Sequence, residues 1–131
     1  MIANMASRTS NFCIDSIDPY AQVKWWSHVL VDFRLLDEAE MGPDEEECWL
    51  VGPEDREIIF ARVPEKKMIK DRMHVCVRPT DCSREEEVDR ILALGATLVD
   101  DRRDGPDKGW AVLADPEGNE FCVLTRYVPT S

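Results

Sequence analysis

Residues 105–120 read GPDKGWAVLADPEGNE, and 63 positions earlier residues 42–57 read GPDEEECWLVGPEDRE. Two Gly-Pro-Asp triplets, two Pro-Glu pairs, and a leucine and a glutamate of each stretch fall in step, which marks an internal duplication. Carried outward at the same offset, residues 11–65 align with residues 74–128 without a gap. Cys13 meets Cys76, Asp18 meets Asp81, Leu35 meets Leu98 and Asp37 meets Asp100. About eleven identities in 55 positions stand where chance gives roughly three, and they cluster at structural punctuation.

Each copy predicts the same element order, βαβββ. Residues 11–15 and 73–77 are short runs rich in apolar and β-branched residues that end in the turn formers SIDP and RPTD, so they predict opening strands. Apolar residues at 23, 26, 29 and 30, and at 88, 91, 92 and 94, predict helices over 20–30 and 85–94, with Gly95 placed to close the second. Three strands follow in each copy, over 33–37, 48–51 and 57–63, then over 97–101, 110–114 and 120–125. The Gly-Pro-Asp triplets mark the turn between the second and third strands, and GPEDRE and DPEGNE the turn after it. A linker over residues 64–72 joins the copies, and residues 1–10 form a flexible tail. One domain then spans 11–128 as two modules, 11–65 and 74–128. Neither copy is long enough to bury both faces of its sheet alone. The expected fold is α+β, with tandem βαβββ modules forming a curved mixed sheet around a concave pocket and helices on the outer face.

Composition removes several classes of function. Of 131 residues, 44% are hydrophobic and 33% charged, so the chain has apolar surface to bury and is not globally disordered. Sixteen Lys and Arg against 27 Asp and Glu leave a net charge of -11, a field that repels nucleic acid and an anionic membrane face, and neither is expected as a partner. No run reaches the roughly 18 apolar residues of a membrane span. The start MIANMASRTS lacks a signal peptide's apolar centre, so a cytoplasmic location is expected. Five cysteines without a CxxC pair indicate reduced thiols rather than a disulfide framework or a zinc ribbon. GxGxxG, GxxxxGK[ST] and GxSxG do not occur, which leaves dinucleotide, P-loop and nucleophile-elbow chemistry unsupported.

Three stretches carry a family resemblance: His74-Val75-Cys76-Val77-Arg78-Pro79, Leu94-Gly95-Ala96-Thr97 and Asp115-Pro116-Glu117-Gly118-Asn119-Glu120-Phe121. Together with the tandem repeat they resemble the vicinal oxygen chelate superfamily, which includes glyoxalase I, extradiol dioxygenases, fosfomycin-modifying enzymes and bleomycin-sequestering proteins. The likeness covers roughly residues 11–126 and is greatest to the small glyoxalase-like domains. It implies a fold and a pocket more firmly than a reaction. It also implies where a metal would be held, because metal enzymes of the superfamily draw His, Gln or Glu ligands from the first and last strands of both modules. The corresponding positions here are Asn11, Ile59, His74 and Cys122. Only His74 is a conventional ligand and Ile59 cannot ligate, so the usual set is incomplete and no cofactor is expected. If a divalent metal is held, His74 and Cys122 are its ligands.

Residues two apart on a strand share a face, which groups His74 with Cys76, Asn11 with Cys13, and Cys122 with Glu120 and Leu124. Two readings stay open. One histidine and three thiols converge as a site for zinc or another soft ion, or the cysteines are apolar pocket lining and His74 hydrogen-bonds a neighbour or a ligand. Trp49 and Trp110 share parity on the third strands and either stack a planar ligand or serve as core or dimer contacts. One of Trp25 and Trp26 should pack on the sheet, and His28 should be a partly exposed helix residue. Asp15 has pocket-side parity. Glu57 and Glu120 directly follow turns and are expected in solvent, and residues 100–108 are expected to be a solvated hairpin tip rather than a lid.

The expectation for function is a homodimer that binds a small organic molecule, aromatic in keeping with the tryptophans, in the concavity between its modules. Asn11, Cys13, Trp49, Ile59, His74, Cys76, Trp110 and Cys122 are expected to line it. The alternative is an enzyme of the same superfamily, a lyase, isomerase or dioxygenase-like catalyst rather than a typical glyoxalase I. It would use an atypical metal site or metal-free acid–base chemistry, with His74 as the catalytic residue or a nearby carboxylate in its place. The missing carboxylate ligands and the two tryptophans favour binding.

Overall fold

The structure, a computed structural model, describes residues 6–36 and 41–129. The chain divides into two compact units, Met1–Pro64 and Glu65–Ser131. The first unit runs β1 (Asn11–Ser16), α1 (Pro19–Ser27), β2 (Arg34–Leu35), β3 (Glu47–Val51) and β4 (Glu57–Arg62). The second runs β5 (Val75–Val77), α2 (Arg84–Ala93), β6 (Thr97–Asp101), β7 (Ala111–Ala114) and β8 (Glu120–Val123). Each unit holds a four-stranded mixed sheet, ordered β1-β4-β3-β2 and β5-β8-β7-β6. The opening strand of each pairs parallel with the last, and the other pairings are antiparallel.

The duplication is kept down to strand register. Leu35 lies opposite Leu50, Leu50 opposite Ile58 and Ile58 opposite Phe12. Adding 63 gives Leu98 opposite Leu113, Leu113 opposite Phe121 and Phe121 opposite Val75. The elements differ from expectation mainly at their ends. Strand β2 has two residues rather than five, and Asp37, where the longer strand was to end, lies outside the described residues. Strand β5 begins at Val75, so His74 stands just before it.

Local chemistry sets the helix limits. Helix α1 starts with Pro19 in its first turn and the Asp18 carboxylate accepting the Ala21 N–H at 3.2 Å. It stops at Ser27, whose hydroxyl donates back to the Lys24 carbonyl at 2.6 Å and competes with the helical ladder. His28 therefore becomes the exposed C-cap rather than a residue of the helix body. Helix α2 opens with a reciprocal Ser83–Glu86 capping box and is followed by Gly95 at φ 114°.

Strand alternation splits each sheet into a core face and an open one. In the first unit Cys48, Leu50, Ile58 and Phe60 are buried with Val23 and Trp26 of α1. In the second, Ala111, Leu113, Phe121 and Val123 are buried with Val88 and Ile91 of α2. Each large apolar side chain removed from water in this way contributes about 1.5–3 kcal/mol. The intervening residues, Ile59 and Ala61 in β4 and Glu120, Cys122 and Leu124 in and just after β8, project to the opposite face. Trp26 packs in the core and Trp25 meets it edge-on, ring centroids 5.2 Å apart. Among the described residues no helix is long and apolar enough to cross a membrane.

Candidate functional site

The non-core face of the second sheet carries the densest chemistry. Cys76 on β5 and Cys122 on β8 are register partners in adjacent parallel strands, so their side chains leave the sheet on the same side. His74, two residues before Cys76, follows the same parity. A ring nitrogen of His74 and the two sulfur atoms all lie within 4.8 Å of one another. His74 and Cys76 are exposed, whereas Cys122 keeps only 7% of its surface accessible. Burial, followed by the neighbouring Cys76 sulfur, pushes the Cys122 thiol up to about 11. Without a bound cation it is a neutral thiol at pH 7 and a poor nucleophile.

These three residues sit in a cavity of about 550 Å³ whose other walls are Lys70, Asp100, Arg102, Trp110, Val112, Glu120 and Leu124. Trp110, immediately before β7, is 43% exposed. The cavity's charged residues are paired: Lys70 with Glu120, and Arg102 Nε with Asp100 Oδ2 at 2.7 Å. Glu120 corrects the expectation that it would lie in solvent. Its side chain is only 20% exposed, because it projects to the cavity face and Lys70 of the linker closes on it. Glu57 is likewise half-buried.

Three wall residues were not foreseen as site residues. Lys70 lies in a linker with no periodicity to read. Asp100 and Arg102 were read only as charges of a hairpin. A β-bulge between Leu98 and Asp100 sets Asp100, rather than Val99, opposite Val112 and so on the cavity face. Residues 104–108 beyond them are exposed, and a bridge between Asp104 and Lys108 closes their tip as a solvated hairpin.

The remaining anticipated residues lie in the first unit, on or one pleat from the matching row of its sheet. Cys13 lies opposite Ile59, and Ile59 opposite Trp49. This is the counterpart of Cys76, Cys122 and Val112. The Asn11 amide donates to the Cys13 sulfur at 3.2 Å. Trp49 is half-buried and lines a separate cavity of about 490 Å³ with Asp44, Glu45, Glu46, Glu47, Ala61 and Arg62. Thus His74, Cys76, Trp110 and Cys122 share one cavity, while Cys13, Ile59 and Trp49 share one sheet row and Asn11, opposite Glu57, stands one pleat earlier on β1. The four positions that the resemblance implies for a hard divalent ion do not fit one. Ile59 presents only hydrocarbon, and Cys122 presents sulfur where an oxygen donor is needed.

Two mixed sheets built from register-matched βαβββ copies match the tandem modules of the vicinal oxygen chelate proteins. Residues 11–124 match the glyoxalase-like domain model, and the chain belongs to that family. No curated protein matches it in sequence. Among solved structures it is similar to the fosfomycin resistance protein FosX from Listeria monocytogenes, at TM-score 0.66 and 14% identity over 95% of this chain and 94% of that one. It is also similar to a glyoxalase/bleomycin resistance protein/dioxygenase family enzyme from Burkholderia phytofirmans PsJN, at TM-score 0.61 and 23% identity over 91% and 98% of the two chains. TioX from Micromonospora sp. ML1 gives TM-score 0.55 and 22% identity over 93% and 100%. At these identities the likeness is one of fold.

Proposed function

We propose that the protein binds a small, planar organic molecule of no net charge in the cavity of its second unit. The observation that carries this reading is Trp110, which exposes nearly half its surface on the wall of a 550 Å³ cavity instead of packing in the core. That volume falls within the range of about 300–1,000 Å³ typical of small-molecule pockets. Val112 and Leu124 supply apolar surface beside the indole. The pairing of Lys70 with Glu120 and of Arg102 with Asp100 argues for a neutral guest. A FosX structure from Listeria monocytogenes, 10% identical with TM-score 0.59, contains manganese(II) and a dihydroxypropylphosphonic acid. A phosphonate dianion in the present cavity would have to break one of the two ion pairs to gain a cation, which favours a different class of ligand.

The test is saturable quenching of tryptophan fluorescence by a panel of neutral aromatic compounds, followed by calorimetry on the best of them. Loss of the stack in Trp110→Ala should weaken binding roughly tenfold, as expected for an aromatic contact of about 1–1.5 kcal/mol. The ligand should be recovered chemically unchanged. Conversion to a product would replace this reading with a catalytic one, and quenching that persists unaltered in Trp110→Ala would remove the cavity from it.

A further inference from the structure

The donors at the floor of the cavity disagree with the hard-ion set that the family resemblance implies, and the disagreement is chemically specific. Two thiols and one imidazole are the ligand types of zinc and other soft or borderline ions, and three of them around one point leave a fourth position open. Cys76 occupies none of the four positions that the resemblance assigns to metal ligands. The trio comes entirely from the second unit: a cross-strand cysteine pair on β5 and β8, and a histidine one pleat earlier on the same face.

We infer that His74, Cys76 and Cys122 form a three-ligand zinc site on one sheet of the second unit. In a tetrahedral zinc site with Zn–S near 2.3 Å and Zn–N near 2.0–2.1 Å, ligand atoms stand about 3.5 Å apart. The present atoms lie within 4.8 Å of one another, so closure needs movements on the order of 1 Å. The two exposed side chains, His74 and Cys76, are free to rotate toward the buried and better fixed Cys122 sulfur. Binding releases the thiol protons, because a coordinating thiol is deprotonated by the cation it meets. Two thiolates then neutralise a divalent ion locally without drawing on Glu120, which remains paired with Lys70. The first unit offers no counterpart: Asn11, Cys13 and Ile59 occupy the matching positions. The zinc site stands independently of what fills the rest of the cavity, since its three ligands are protein groups.

The experiment is titration of reduced protein, freed of metal, with cobalt(II) and then zinc. One equivalent of cobalt should produce a thiolate-to-cobalt charge-transfer band in the near ultraviolet, and one equivalent of zinc should abolish it. In Cys76→Ser the band should fall to about half, and zinc affinity should drop on the order of 100-fold or more, beyond the loss seen when only an outer-shell partner is removed. Cys76 is exposed, so this variant should fold like the parent, as circular dichroism will verify. Cys13→Ser and Cys82→Ser should leave both readings unchanged. Cobalt bound without the thiolate band, zinc affinity unaltered in both Cys76→Ser and His74→Ala, or equal competition by manganese(II) would each overturn the site.

Discussion

The two units close their last hairpin on the same backbone hydrogen bond but support it with opposite chemistry. Gly52 N–H donates to the Arg56 carbonyl at 2.7 Å in the first, and Asp115 N–H to the Asn119 carbonyl at 2.9 Å in the second. In the second, the buried Asp115 carboxylate also accepts the N–H groups of Glu117 and Asn119, each at 2.9 Å, and the left-handed position falls on Gly118 at φ 89°. In the first, glycine replaces that aspartate, and a Cβ there would stand 2.4 Å from Phe33 Cε2. Its turn holds Glu54 at φ 57° and Asp55 at φ 63°, conformations that cost of order 1 kcal/mol for side-chain-bearing residues. The anchors of the Gly-Pro-Asp loops differ too. Arg62, at the end of β4, donates to the carbonyls of Pro43 and Glu45, whereas Arg84, at the start of α2, donates to those of Gly105, Lys108 and Gly109. The copies share a register and differ in the side chains that secure it, and the second combines the better-supported turn with the thiol pair.

The largest effect should come from the loop anchors. The Arg84 side chain is 2% exposed, and its replacement by Met leaves the carbonyls of Gly105, Lys108 and Gly109 without their side-chain donor. A loss of roughly 3 kcal/mol is expected, against roughly 1 kcal/mol for Arg62→Met at a more open site. Urea midpoints of the two variants check this, and equal losses would break the asymmetry. Next comes Asp115→Ala, which removes two backbone acceptor contacts and the 3.2 Å bond from the Asn119 amide, and should cost roughly 2 kcal/mol. Grafting the device backwards as Gly52→Asp should destabilise rather than help, by about 1–3 kcal/mol, because Phe33 occupies the space a side chain requires.

How far the sequence reached follows from the same residues. The 63-residue offset carried the element order, the mixed sheets and the face shared by Cys76 and Cys122, because strand parity is fixed by chain geometry once the register is known. The offset also paired position 59 with position 122, and each holds the matching place in its own sheet, Ile59 opposite Cys13 and Cys122 opposite Cys76. What escaped depended on features without periodicity. The bulge that turns Asp100 toward the cavity breaks parity locally, and Lys70 reaches Glu120 from a linker. The end of α1 was misread because the apolar spacing continues through Val29 and Leu30 while Ser27 already diverts a carbonyl.

A smaller effect, of opposite sign, tests the strained turn. Asp55 corresponds to Gly118 under the offset, so Asp55→Gly should stabilise the first unit by about 1 kcal/mol as the left-handed residue loses its Cβ. The reciprocal Gly118→Asp should destabilise the second by a similar amount. Thermal unfolding of the pair measures both, and an Asp55→Gly protein no more stable than its parent would mean that the turn carries no strain to release.

The smallest expected difference is a dependence on acid that resides in the second unit. Arg103 donates to Asp101 through its Nε and Nη2, each at 2.8 Å, and through its backbone N–H at 3.1 Å. The side-chain bonds first and the backbone bond second hold the Asp101 carboxyl down to about 2, against an ordinary 3.8. The Ser83 backbone and hydroxyl lower Glu86 in the same direction through the capping box. A carboxyl lowered on folding contributes stability that is fully present above its unfolded value and is lost as pH falls through its folded value. For Asp101 that window runs from just below pH 4 to about 2. Asp101→Asn should lower the urea midpoint at pH 7 and flatten its decline between pH 4 and 2, so that variant and parent converge at the acid end. Because Asp101 is exposed to solvent, added salt should shrink the effect. A decline that survives in Asp101→Asn and is insensitive to salt would place the acid-sensitive contact elsewhere in the molecule.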